Sequence, residues 1–298
     1  GITQVVKKLR KVEGFAMTTS LFCMEHTGVY NYHLQEYLQA CKSKVWLESA
    51  LRIKQSQGMT RGKNDQVDAE RIAQYAYTFR EKARLWQPQD DLIKKVKVLI
   101  TMRDRLQSSI KQLTVPIEEN AAFMDKGLSR MEKRGFSNTL RALRKDLALV
   151  EKTLNQTIDS DAQLKDLFRL VTSVDGVGPI VAVNMIATTN RFQYFNDPKK
   201  FACYSGIAPF QHKSGSSIRG RTRVSHLANK KLKTLLHLAA MAAIKAKGEL
   251  REYYLRKVAE GKNKMSVINA IRNKILLRIF AVVKRQSPYL KKYNLVLA

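Results

Sequence analysis

Between Leu92 and Ile158 apolar residues recur in steps of three and four, and no other pattern restricts the fold of this chain as tightly. The first run is Leu92, Val96, Leu99, Met102, Leu106, Ile110 and Leu113; the second is Leu140, Leu143, Leu147, Val150, Leu154 and Ile158. Pro116 and the stretch from Asp125 to Ser137 interrupt the pattern. The spacing is that of a coiled-coil seam, so two long helices joined by a turn are expected, as an antiparallel hairpin over 89–160. A pair of helices packed on their own domain would bury the same stripes. The segment divides the chain into a first domain at 1–88 and a last one at 161–298.

The first domain reads as α/β. Ile2 to Lys11 is a basic amphipathic helix. Ser20 to Met24 is a short apolar strand ending at Glu25, followed by His26, Thr27 and Gly28. Asn31 to Ala40 is a helix with Tyr30, Leu34, Tyr37 and Leu38 inward, and Lys44 to Leu47 is a second strand. This alternation predicts a parallel or mixed sheet. A carboxylate at a strand's carboxyl end stands where α/β folds place ligands, so Glu25 is either a ligand or a strand-end Glu turned to solvent. A helix from about Gln66 to Arg80 follows the stretch Arg61-Gly62-Lys63-Asn64. Asp65 and Asp68, three residues apart, can serve its positive end or ligate a metal.

The last domain is expected to be mainly helical and basic. Net charge over the chain is +29, and from Lys199 onward 23 Lys and Arg stand against three Asp and Glu. Such an excess calls for a polyanion, and nucleic acid is the partner it predicts. No apolar run reaches the ~20 residues of a membrane span, and no signal peptide is visible. Cys23, Cys41 and Cys203 lack disulfide or zinc spacing, which fits a reducing cytoplasm. Gly176 and Gly178 precede a small-residue helix, where free backbone N–H groups can hold a phosphate; a plain turn has the same composition. Lys213 to Arg223 reads as a loop with three serines, Ser214, Ser216 and Ser217, beside four cations, Lys213, Arg219, Arg221 and Arg223. It is either a solvated connector or a site in which a hydroxyl attacks a phosphodiester and cations take up the developing charge.

Four motifs occur in order: Met24-Glu25-His26-Thr27-Gly28-Val29-Tyr30, Asn64-Asp65-Gln66-Val67-Asp68-Ala69, Val174-Asp175-Gly176-Val177-Gly178 and Ser214-Gly215-Ser216-Ser217-Ile218-Arg219-Gly220. In this the chain resembles the transposases of insertion-sequence family one-hundred-ten, relatives of a pilin-gene invertase. The resemblance implies a RuvC-like domain of the RNase H fold with an Asp-Glu-Asp-Asp metal site, a coiled coil, and a transposase domain with a serine nucleophile. It implies Mg²⁺ held by Glu25, Asp65 and Asp68, and Ser214 as the nucleophile. It further implies a structured bridge RNA that pairs with target and donor double-stranded DNA, and a homodimer or homotetramer at the bacterial nucleoid. Residues 1–24 hold no Asp and one acid, Glu13. The strand carrying the family's first aspartate, with its opening hairpin, is therefore expected to be absent. The rival readings are a RuvC-like metal-dependent junction nuclease and a non-catalytic nucleic-acid-binding protein.

Overall fold

The computed structural model describes residues 1–58, 64–88, 90–214, 218–225 and 227–290, with backbone alone at 211–214, 218–219 and 221–223. The chain forms two compact units, Gly1–Pro88 and Gln89–Ala298.

In the first unit, α1 (Ile2–Leu9) is followed by β1 (Leu21–Glu25), α2 (Tyr32–Ala40), β2 (Lys44–Glu48), α3 (Ala50–Ser56) and α4 (Asp65–Thr78). β1 and β2 pair in parallel, Leu21 opposite Lys44 and Glu25 opposite Glu48, with α2 as the crossover. Leu38 of α2 is fully buried, as the apolar spacing requires. Tyr30 is not an inner residue: Gly28–Asn31 forms a 3₁₀ turn ahead of α2, and its phenol ring is 86% exposed. The face of the sheet bearing Cys23, Glu25, Trp46 and Glu48 is set by period-two alternation and register. It packs against α4, where Trp46 lies 5.4 Å from the Tyr75 ring. The chain then returns along β2, Trp86 N–H donating to Val45 O over 2.7 Å.

The second unit is helical apart from one hairpin: α5 (Asp91–Asn120), α6 (Lys126–Asp159), α7 (Ala162–Thr172), α8 (Pro179–Thr189), α9 (Pro198–Tyr204), β3 (Pro209–Ser214), β4 (Ile218–Val224), α10 (Lys230–Lys245), α11 (Glu249–Ala259) and α12 (Lys264–Arg285). α12 is its central helix. Ile271, Ile275, Leu276 and Ile279 have no accessible surface, and burial of each contributes roughly 1.5–3 kcal/mol.

α5 and α6 run antiparallel. Arg103 Nε donates to Glu151 Oε1 over 2.8 Å and Asn120 Nδ2 to Glu132 Oε1 over 3.2 Å, so numbers rise on one helix as they fall on the other. Ile93, Val96, Leu99 and Ile100, with Val150, Leu154 and Ile158, belong to the main core. Toward the far end burial thins, and Leu128, Met131 and Phe123 are exposed. Pro116 does not stop α5, which runs four residues further. Its missing N–H costs one helical bond near the end, where few remain to lose. Nor is Asp125–Ser137 an interruption: Asp125 Oδ1 accepts from the N–H groups of Gly127 and Leu128 and starts α6.

After α8 the chain turns through three residues with left-handed φ: Asn190 (47°), Arg191 (55°) and Phe192 (64°). Each costs on the order of 1–2 kcal/mol in a non-glycine residue. The turn delivers the Arg191 guanidinium, 7% exposed, to Asp90 at 2.5 Å and Asp161 at 2.8 Å, the caps of α5 and α7. The Leu164 N–H first, and Arg191 second, hold the Asp161 carboxyl below its ordinary range. Arg191→Met is expected to destabilise the unit by about 2 kcal/mol, less than the ~3–5 kcal/mol for a fully buried pair because both carboxylates are partly exposed and can rehydrate. Melting should fall by about 4–8 °C, and an unchanged melting temperature would remove the ion pairs from the account.

Candidate functional site

In the first unit the acids fall on two elements that pack together, β1 and α4. Glu25 ends β1, and its backbone carbonyl accepts from Asn31 Nδ2 at 2.7 Å, which fixes the turn through Gly28, whose φ is +70°. Asn64, not Asp65, caps α4, accepting from Val67 N–H at 2.8 Å. Asp65 is exposed in the first turn. Asp68 is half-buried and lies 3.3 Å from Arg71 Nη1. Sequence reading misses a fourth acid, Glu48, the register partner of Glu25 on the same face of the sheet. Its buried carboxylate accepts from Ser49 N–H at 2.7 Å and the Tyr75 hydroxyl at 3.2 Å. Alternation with Trp46 is the signal that could find it, but a second strand ended at Leu47 stops one residue short. Burial, and then Glu48, push the Cys23 thiol up to about 11, so it is no nucleophile at neutral pH.

Carboxylates are the donors that hard divalent ions prefer. Their placement does not match that chemistry: among the described residues no three His, Cys, Asp or Glu side chains are gathered closely enough to hold a metal ion.

In the second unit, the turn between α7 and α8 is pressed onto α10. Gly176 has φ +83°, and a Cβ there would lie 2.3 Å from the Ala239 carbonyl oxygen. This gives Gly176 a packing reason. Gly178, N-cap of α8 ahead of Pro179, has open space around the position of a Cβ, and no side chain caps that helix.

The segment expected as a loop is a β-hairpin. β3 and β4 pair antiparallel with Phe210 opposite Arg223, Lys213 opposite Arg219 and Ser214 opposite Ile218. A register shift lies between Phe210 and His212. The β-branched Ile218, Thr222 and Val224, with Gly220 between them, alternate with Arg219, Arg221 and Arg223 closely enough to propagate a strand despite the charge. Lack of an apolar helical period is thus not lack of any period. Ser214 is the last residue of β3, and Arg219, Arg221 and Arg223 take alternate positions of β4. Gly215, Ser216 and Ser217 lie outside the described residues, as do residues 61–63.

The roots of the hairpin are tied down. Asn229, cap of α10, donates its N–H to Tyr204 O at 2.9 Å, and Asn269 Nδ2 donates to Ile207 O at 2.9 Å. One turn along α12 from Asn269 is Arg272, 7% exposed, whose Nη2 meets His237 Nδ1 at 2.6 Å. Burial first, and then this guanidinium, lower the His237 pKa, so the ring is neutral and Nδ1 accepts. Its folded value lies below its unfolded value. The stability it confers is therefore complete above about pH 6.5 and declines as pH falls below that. His237→Gln, which retains an acceptor, is expected to flatten the acid side of the stability–pH curve below about pH 6.5; equal slopes in the two proteins would refute the assignment.

Comparison with known proteins bears on both units. Residues 1–120 match the DEDD-type transposase model of the IS110 group, and residues 168–255 match the model described as "Transposase IS116/IS110/IS902 family". The DEDD match implies an RNase H-like fold and divalent-metal dependence for that domain. The chain is similar to the pilin gene-inverting protein of Moraxella bovis, 24% identical over 275 residues that make up 91% of this chain and 82% of that protein. It is also similar to the transposase for insertion sequence element IS1111A of Coxiella burnetii, 26% identical over 76% of this chain and 68% of that protein. Among the described residues no helix is long and apolar enough to cross a membrane.

Proposed function

We infer the function from the premise that this chain belongs to the IS110/IS116/IS902 transposase family and carries its DEDD domain. It acts in DNA transposition and recombination. The finer reading is a site-specific recombinase that cuts and rejoins double-stranded DNA through a phosphoserine link, guided by a structured bridge RNA. Gene inversion, the activity in the name of the Moraxella bovis relative, is a reaction of the same class.

The observation that carries this reading is the hairpin within residues 168–255. Ser214 stands at the end of one strand, and the opposing strand brings Arg219, Arg221 and Arg223. In the proposed step Ser214 Oγ attacks the DNA phosphorus. The bond from phosphorus to one DNA oxygen breaks, and that oxygen takes up a proton as the serine loses its own. One phosphoester replaces another, so rejoining needs no external energy source: the DNA hydroxyl attacks the phosphoserine and releases Ser214. Guanidinium forks on Arg219, Arg221 and Arg223, with Lys213, are proposed to hold the phosphate oxygens as charge develops. Gly176 and Gly178 are proposed contacts to the nucleic-acid backbone. The open surroundings of Gly178 support that role for its amide.

Mg²⁺ is the proposed divalent ion for the DEDD domain; Glu25, Asp65 and Asp68, which are not gathered in this structure, are the acids that would have to converge to hold it, and such an ion would supply charge neutralisation at a phosphate. Strand exchange joins several ends, so a homodimer or homotetramer acting on nucleoid DNA in the cytoplasm is proposed. A second reading, a RuvC-like nuclease in which water attacks directly, is favoured by the DEDD match.

Trapping separates the readings. Full-length protein is mixed with copurifying RNA and a nicked, labelled duplex, with and without a chelator, and resolved under denaturing conditions. A covalent protein–DNA species identifies the recombinase. Free ends identify the nuclease, and intact DNA identifies a binder.

A further inference from the structure

The exposed cations of α6 form a single row. Arg130, Lys133, Arg134, Arg141, Arg144 and Lys145 are separated by steps of one, three, four and seven residues, which places them within about a third of the helix circumference. Lys126 before them and Lys152 after them continue the row. All eight side chains are exposed, and none pairs with a carboxylate among the described residues. The acids of the same helix do not neutralise them. Glu132 and Asp146 fall roughly opposite the row, at 100° per residue. Glu151, at its edge, is engaged by Arg103 of α5 at 2.8 Å, and Asp159, beyond its end, by Lys165 at 3.1 Å. The apolar seam of Leu140, Leu147, Val150 and Leu154 lies on a different side and is turned to the interior. Charge of one sign is thus segregated on one face of a single uninterrupted helix.

We propose that this face of α6 is a docking surface for the backbone of duplex DNA flanking the recombining site. The proposal rests on the recombinase reading and adds to it a surface outside both units' candidate catalytic residues. Three observations choose the occupant. The row runs 26 residue steps, from Lys126 to Lys152, roughly 39 Å at the helical rise, longer than the ~34 Å of one duplex turn. An unbroken row of that length calls for a polyanion of at least equal extent, and duplex DNA carries one charge per ~1.7 Å of axis. No aromatic residue interrupts the row, Phe136 lying on the far side with the seam, so it offers no stacking platform for a single strand. Lys and Arg without base-reading partners bind backbone and carry no sequence preference.

The test is the salt dependence of duplex binding by full-length protein carrying Arg134→Gln, Arg141→Gln, Arg144→Gln and Lys145→Gln. Glutamine is a good helix former, so α6 is retained. Each lost phosphate contact should reduce the log–log slope by about 0.9, and four should make it shallower by about 3.6. An unchanged slope, with wild-type protein binding normally, overturns the docking surface and leaves the recombinase reading intact. Wild-type protein that fails to bind duplex DNA at any salt sinks the recombinase reading itself. A slope change seen with an RNA hairpin but not with duplex DNA assigns the row to RNA and overturns the proposal. If the quadruple variant does not fold, acetylation footprinting of wild type decides: Lys126, Lys133, Lys145 and Lys152 should be protected together by a duplex, and equal labelling with and without DNA overturns the proposal.

Discussion

Ser214→Ala should abolish the covalent protein–DNA species and recombination, by at least about 10³-fold, while DNA affinity stays within about twofold. The first figure follows from the all-or-none character of a nucleophile, for which the neighbouring groups do not substitute. The second follows from the cations: Lys213, Arg219, Arg221 and Arg223, the proposed phosphate contacts, all remain. Stability should change by less than about 0.5 kcal/mol, since Ser214 is the last residue of β3 and the substitution removes a single oxygen. The measurement is denaturing electrophoresis of the labelled adduct beside a filter-binding or anisotropy titration. An adduct that survives Ser214→Ala but disappears in Ser216→Ala or Ser217→Ala moves the nucleophile within the hairpin. Cleaved DNA without any adduct in wild type gives the reaction to a metal-dependent nuclease.

Gly176→Ala should be a strongly damaging change in the second unit. Its φ of +83° is strained for any other residue, and the new methyl would press on the Ala239 carbonyl at 2.3 Å and the Ala243 Cβ at 2.8 Å. Backbone of α10 cannot turn aside as a flexible side chain would. Strain of about 1 kcal/mol and overpacking of about 1–3 kcal/mol together give a loss of about 3 kcal/mol, or a melting temperature lower by about 6–12 °C. Gly178→Ala is the control. Nothing lies within 4 Å of its would-be Cβ and its φ is −86°, so less than about 1 kcal/mol is expected. Equal melting of the two variants would mean that α10 does not approach the turn as described. A DNA-binding defect in Gly178→Ala at normal stability would support its amide as a phosphate contact.

These two glycines mark the limit of what the sequence discloses. Val174 to Gly178 announces a turn before a helix, and the turn is there. Which glycine is packed and which is open depends on α10, more than 60 residues downstream. Local periodicity is enough for the long elements. The seams at Leu92–Leu113 and Leu140–Ile158, the strands at Leu21 and Lys44, and the helices at Lys230, Glu249 and Lys264 all follow from residues within one or two turns of each other. Errors arise where a local cue has two meanings. Pro116 and Asp125 can end helices, yet here one is tolerated near a terminus and the other starts the next helix. Ser and Gly around 214–217 suggest a loop for the whole of 213–223, because arginines between β-branched residues do not look like a buried strand. Glu25, Asp65 and Asp68 are legible as acids on β1 and α4, but the distance between side chains on different elements is a tertiary quantity that spacing does not contain.

The hydrogen bond from Asn229 to Tyr204 joins the points where the chain leaves and re-enters the helical core, and the one from Asn269 of α12 to Ile207 pins the outgoing strand's root. The excursion between them closes on itself before the core is reached. Changes of length or composition in the hairpin therefore need not be transmitted to α9, α10 or α12. Such an insert is built as an exchangeable cassette: a laboratory library confined to residues 209–224, with Ser214 kept, should leave the helical scaffold folded.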